Sequence, residues 1–147
     1  MANAWYNQAK GRLLNGDLIL SSDTIKAALI LTTPSYTFNA DDDAPSSWVS
    51  SEAAGGSYAR QTLGTKSGTV DDSNDLGYWS CGTITFTAVP VQAGTSTIKA
   101  LIIYEYVTND TDSRNIAYFD TGTGFPLTPN GGDITVTIAA GGLIKIT

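Results

Sequence analysis

The stretch TIKALIIYEYV, Thr97 to Val107, decides the fold class, because it is the longest apolar segment of strand character in the chain. Isoleucine, tyrosine, threonine and valine fit a pleated, half-buried surface. A second run, TIKAALILT from Thr24 to Thr32, is apolar at consecutive positions, which predicts a strand buried on both faces. Around these two lie segments of strict alternation. In TITFTAV (Thr83 to Val89), Ile84, Phe86 and Ala88 share one side and threonines the other. DITVTIA (Asp133 to Ala139) points Ile134, Val136 and Ile138 inward. SYARQTL (Ser57 to Leu63), NIAYFDT (Asn115 to Thr121), LIKIT (Leu143 to Thr147) and a weak LIL (Leu18 to Leu20) bring the number of expected strands to eight.

Turn signals separate them: Asn109-Asp110, Asn130-Gly131-Gly132 and Gly141-Gly142. Strands at this spacing with no interleaved helices indicate an all-β, single-domain two-sheet β-sandwich, jelly-roll-like, with a short N-terminal helix. The helix is read over residues 3 to 14, where Trp5, Ala9 and Leu13 recur at a spacing of four with Tyr6 and Leu14 beside them. Asn15-Gly16 then supplies a left-handed stop. The alternative is an arm that orders only against a partner. The chain therefore divides into residues 1–16, helix or arm, and residues 17–147, the sandwich. Residues 34–56 and 66–82 carry few periodic apolar positions and read as long loops, which in a compact domain are usually functional or ordered by a partner.

With 147 residues the chain suits one domain. Charged residues make up 15% of it, with 14 acids against 8 bases and a net charge of −6. No Lys/Arg cluster exists, so no nucleic-acid partner is expected; an acidic surface favours a basic or mixed protein partner, or simply keeps the protein in solution. Cys81 is the single cysteine, which rules out an intramolecular disulfide and reads as a small buried or half-buried side chain. The chain contains no histidine, which removes Ser-His-Asp, Cys-His and His-ligated zinc chemistry together. The start, MANAWYNQAK, has neither the basic nor the apolar part of a signal peptide, and apolar runs such as Ala27 to Leu31 are far too short to cross a bilayer. The expectation is a protein made in a cytosol, with no membrane partner.

Three constellations could carry chemistry. In FNADDDAPSSW, Asp41, Asp42 and Asp43 are contiguous, so in an extended chain they point alternately to opposite sides and do not converge on one ion. A second acidic stretch, DDSND from Asp71 to Asp75, could approach the first only through the fold. Both read as solvated loops, with no metal and no cofactor. Glu105, between Tyr104 and Tyr106, is the only acid in the apolar setting a glycosidase acid needs. It lacks a second carboxylate and reads instead as a residue on the solvent face of its strand. Trp48, Tyr78 and Trp79 fall in the expected loops. They could form a stacking platform for a glycan, but packing onto the sandwich or a neighbouring subunit is the favoured reading. Asn109-Asp110-Thr111 has the form of a glycosylation acceptor without a secretion signal, and Gly122-Thr123-Gly124 lacks the strand-helix context of a phosphate loop. Nothing assembles a nucleophile with a base, so no catalytic residue is expected.

The order of AWYNQAKGRLLNGDLIL, DTIKAALI, GGSYARQTL (Gly55 to Leu63), ALIIYEY (Ala100 to Tyr106), IAYFDTG (Ile116 to Gly122) and DITVTIAAGGLIKIT resembles that of a family of small bacteriophage virion structural proteins. The resemblance spans most of the chain and departs at Asp41 to Ser51 and Val70 to Cys81. It implies a capsid decoration, or cement, protein on the exterior of the virion, synthesised in the cytoplasm of a bacterial host. Its partners would be the major capsid protein and itself, as a homotrimer at local three-fold positions. The contacts are expected at Trp5, Tyr6, Leu13, Asp41, Asp42, Asp43, Trp48, Tyr78 and Trp79. A carbohydrate-binding module of a tail or fibre, and a tail or neck structural protein, are the alternatives.

Overall fold

The computed structural model describes residues 3–146; Met1, Ala2 and Thr147, which the expected N-terminal segment and closing strand include, lie outside the described residues. The described chain forms ten strands in antiparallel sheets and one short helix, an all-β fold. The largest sheet has the order β1-β8-β7-β2-β3, with β1 at Ala4–Trp5, β2 at Ile25–Leu31, β3 at Gln61–Thr62, β7 at Ile98–Glu105 and β8 at Arg114–Phe119. The two most apolar runs of the sequence are neighbours in it, paired from Ile25↔Glu105 to Leu31↔Ile98. Both lie inside the sheet and are covered on both faces, which is why neither alternates.

The sheet has two distinct cores. On one face Ile25, Ala27, Leu29, Leu101, Ile103, Ala117 and Phe119 join a large apolar cluster. On the other, Ala28, Ile30, Ala100, Ile102, Tyr104 and Tyr118 pack with Tyr6, Tyr36 and Trp48. Two register steps shape this second face. Between Ile30 and Leu31 the pairing in β7 moves from Ala100 to Ile98, so Lys99 is an extra residue and joins Ala100 on that face. In β8 the partners of Ile103 and Tyr104 are Ala117 and Asn115, so Ile116 is extra and Asn115 turns to the same side as Tyr118.

The second layer of the sandwich is made in two pieces. Strands β4 (Ser67–Asp71), β5 (Leu76–Ser80) and β10 (Ile144–Ile146) form a three-stranded sheet in the order β10-β5-β4. Strands β6 (Ile84–Phe86) and β9 (Ile134–Val136) form a pair. Trp79, Ile84, Phe86, Ile134 and Ile144 carry both pieces into the large cluster.

Several expectations are corrected by the structure. Residues 66–82 are a β-hairpin rather than a loop. Its strands SGTVD and LGYWS lack an apolar alternation because most of the hairpin has no core beneath it. Residues 34–56 do form a long loop with two short 3-10 turns, and that loop covers the second face of the large sheet. The helix, α1, runs over Asn7–Asn15 and not from residue 3, because β8 pairs with Ala4 and Trp5 and the Tyr6 N–H donates to the Ile116 carbonyl. Gly16, at φ 77°, ends it as expected. Leu18 is buried but lies in a stretch without regular structure, not in a strand. Among the described residues no helix is long and apolar enough to cross a membrane.

Candidate functional site

The acidic loop is built into the fold by its backbone and by two of its aspartates. The amide N–H of Asn115 donates to the Asp43 carbonyl at 2.8 Å, and its side-chain Nδ2 donates to the Asp42 carbonyl at 3.1 Å. The Asp42 carboxylate accepts the Tyr36 hydroxyl at 2.7 Å, and Asp41 accepts Asn7 Nδ2 at 2.8 Å. Asp41 and Asp43 are exposed. Each aspartate therefore faces different partners, and among the described residues no group of His, Cys, Asp and Glu is arranged to hold a metal ion.

Trp48 is fully buried and is no part of an outer surface. Its Nε1 donates to Asn115 Oδ1 at 2.7 Å, its ring meets Tyr104 edge-on at 5.7 Å, and the Arg60 guanidinium lies 4.9 Å from the ring centre. Arg60 organises what surrounds it. It donates to both Glu52 oxygens, at 2.8 Å from Nε and 2.6 Å from an Nη, to both oxygens of Asp110, and to the Tyr104 hydroxyl at 3.2 Å. Burial alone would lower the Arg60 pKa, but the bonds to Glu52, Asp110 and Tyr104 more than offset it and hold the cation firmly protonated. The Tyr58 hydroxyl donates to Glu52 at 2.9 Å and accepts the Leu29 N–H at 3.0 Å, and burial raises its pKa. These charges are consumed in pinning loops to the sheet; none is aimed at an open space with a nucleophile beside it.

The other expected contact residues divide between core and surface. Tyr6 is fully buried, with its hydroxyl 3.1 Å from that of Tyr36, while Trp5 and Leu13 are half-buried. Trp79 is buried, and Tyr78, its neighbour on the opposite face of β5, is half-buried. Burial thus withdraws Tyr6, Trp48 and Trp79 from any direct partner contact, since each fills a pocket that its own chain supplies. Glu105 is also corrected: it is buried, not on a solvent face, and pairs with Arg12 of α1. Cys81 is buried, as expected of a small core side chain, and burial raises its thiol pKa.

Three surface features stand out among the described residues, and none was visible in the sequence. The first is an overhang of the three-stranded sheet. Gly77 pairs with Val70 on one side and Ile146 on the other, so the three form one row. That row lies on the same face as Trp79 and Ile144, two residues along each strand, which are in the core. Yet Val70 is 76% exposed and Ile146 60% exposed. The apolar face therefore continues out of the core into solvent, where Asp71 ends β4 and the hairpin turn carries Asp72 and Asp75.

The second is a cleft of about 380 Å³ beside the end of β8, walled by Tyr36, Phe38, Tyr118 and Phe125 and carrying Lys99 and Asp120. A larger groove of about 660 Å³, bordered by Leu101, Phe119 and the segment 134–139, has no ionisable side chain among the described residues of its lining. No protein-family model matches this chain, and no curated protein does.

Proposed function

We propose that this chain is a non-catalytic structural protein of a bacteriophage virion, a decoration protein that binds the outside of the major capsid shell and stabilises it. The observation that carries the proposal is the overhang of the three-stranded sheet. Apolar side chains held rigidly on a sheet, standing clear of their own core and edged by carboxylates, fit a partner surface with an apolar centre and a basic rim. Inside the molecule, the ionisable groups with close partners serve to clamp loops, an arrangement suited to a rigid binding body. Repeated over many copies of a shell, even a modest contact of this kind becomes tight through multivalency. Self-association, as a homotrimer, belongs to the same proposal, because a closed ring of three would engage several capsid subunits at once.

The test is co-sedimentation of the purified protein with shells of the major capsid protein that lack it, together with sedimentation analysis of the protein alone. The expected result is saturable binding, a higher shell melting temperature, and loss of binding in the Val70→Asp, Ile146→Asp double variant, which keeps the parent's unfolding temperature. A well-folded protein that leaves the shells unbound, or a double variant that binds as the parent does, would overturn the proposal.

A further inference from the structure

We propose that the larger groove receives an extended, uncharged segment of a partner protein, which adds to the free edge of β9 as one more strand. β9 has a neighbour on one side only: it pairs with β6 from Ile84↔Val136 to Phe86↔Ile134, and among the described strands its other edge is unpaired. The pairing stops at Val136 because the chain before β6 turns away, the Gly82 N–H donating to the Gly64 carbonyl. The burial rhythm of a strand nevertheless runs on. Ile134, Val136 and Ile138 are withdrawn from solvent, while Thr135, Thr137 and Ala139 are exposed. Among the described residues, the main-chain groups of Thr137 and Ile138 have no hydrogen-bond partner.

The groove follows this free edge. All six residues from 134 to 139 line it, inward and outward side chains alike, so it runs along the edge of the segment and not over one face. At about 3.3 Å per residue that wall is about 20 Å long. Leu101 and Phe119, paired neighbours in β7 and β8, are the buried side chains beneath it, with Leu143 and the segment 121–125 around them.

These features select the occupant. A row of main-chain N–H and C=O groups at strand spacing is matched by another polypeptide backbone, which donates and accepts at the same interval. A charged side chain set over Leu101 and Phe119 would lose its hydration without finding an opposite charge among the described lining residues. The inward positions of the added strand are therefore apolar, and those beside Thr135 and Thr137 are small, polar and uncharged, as cross-strand threonine pairs are. Sheets guard a free edge with lysine, proline or a bulge. The segment from Ile134 to Ala139 has no charge and no proline, which suits an edge kept for a partner.

The inference does not rest on capsid binding, since neither Val70 nor Ile146 lines the groove. The test follows the amide NMR spectrum of the full chain during titration with a capped peptide of alternating threonine and valine, seven residues long and flanked by lysines for solubility. The controls are a peptide of the same composition with its valines contiguous, two versions N-methylated at every threonine or at every valine, and 1-octanol. The expected result is saturable shifts within residues 134–139 with the alternating peptide. One N-methylated version should bind at least tenfold more weakly and the other within threefold of the parent peptide, because only one edge of an added strand faces β9. Thr137→Pro, placed beyond the last residue paired to β6, should abolish binding at an unchanged unfolding temperature. Should that variant fail to fold, the two N-methylated peptides decide. The inference is overturned if the alternating peptide does not saturate or the shifts map outside the groove. It is equally overturned if the contiguous-valine peptide binds as well, if both N-methylated versions behave alike, or if a folded Thr137→Pro binds as the parent does. Shifts in residues 134–139 with protein concentration alone would assign the edge to a second copy, and shifts with 1-octanol but not the peptide to a small apolar ligand; either would overturn it.

Discussion

Trp48 and Asn115 stand 67 positions apart in the sequence, and their side chains are joined by a buried 2.7 Å hydrogen bond from the indole Nε1 to Oδ1. The same asparagine also donates from its backbone and side chain to the carbonyls of Asp43 and Asp42. One residue of β8 thus fastens both the acidic stretch and the aromatic plug of the loop 34–56. Trp48→Phe should destabilise the protein by about 1–3 kcal/mol, the cost of leaving a buried acceptor without its donor. Combined with Asn115→Ala, the two losses should fall short of additivity by about 1 kcal/mol in chemical denaturation. Strict additivity would show that the bond has no energetic role.

Arg60 is the second fastening, joining Glu52, Asp110 and the faces of Trp48 and Tyr104. A lysine there keeps the charge but loses the fork that grips two carboxylates and the flat face that stacks on rings. Arg60→Lys should therefore cost about 2 kcal/mol, reduced from the fully buried case because solvent reaches part of the network. Equilibrium unfolding in urea measures it, and a loss within experimental error of zero would mean the network is ornamental.

Alkaline stability should reflect the tyrosines packed against the two faces of the large sheet. Burial, with the nearby carboxylates, pushes the Tyr36 and Tyr118 hydroxyls up to about 12, and burial raises Tyr6 and Tyr58 as well. In the unfolded chain a tyrosine ionises near pH 10. A raised folded value means that the neutral form is favoured by folding. This contribution is complete below about pH 10 and fades as pH climbs through about 12. Tyrosinate absorbance should rise in that window together with the loss of structure. Ionisation of all seven tyrosines near pH 10 in a still-folded protein would contradict it.

Gly142 holds the chain close against β5. Its φ of +78° is a left-handed conformation, and a Cβ there would sit 2.5 Å from Tyr78 Cδ2 and 2.9 Å from the Trp79 carbonyl oxygen. Gly142→Ala should cost about 1–3 kcal/mol from backbone strain and loosen β10 first. Hydrogen exchange would register faster amides in β10 and β5 with little change in β2 and β7. Uniform protection would mean that the turn can accept a side chain.

The sequence by itself determined the all-β class, the two central strands and the left-handed stop at Gly16. Continuous burial and a forced backbone conformation leave marks on neighbouring residues, and local pattern suffices to read them. It also carried the alternation of Ile84 and Phe86 and of Ile134 and Val136, because period-two burial is a property of the strand itself. Only the tertiary structure decided the rest. Ser67 to Ser80 pair as a hairpin without an apolar rhythm, since a sheet that overhangs its core needs no inward face. Ala4 and Trp5 leave the helical stripe because an open edge of β8 satisfies their backbone. Glu105 is buried because Arg12, far off in sequence, reaches it, and Trp48 because Asn115 does. The cleft of Lys99 and Asp120 exists because one residue was added to a strand, and a one-residue step reverses which face a side chain sees. Such steps leave no trace in composition or spacing, and the pairings of Trp48 with Asn115, Arg12 with Glu105 and Arg60 with Asp110 join segments that only folding brings together.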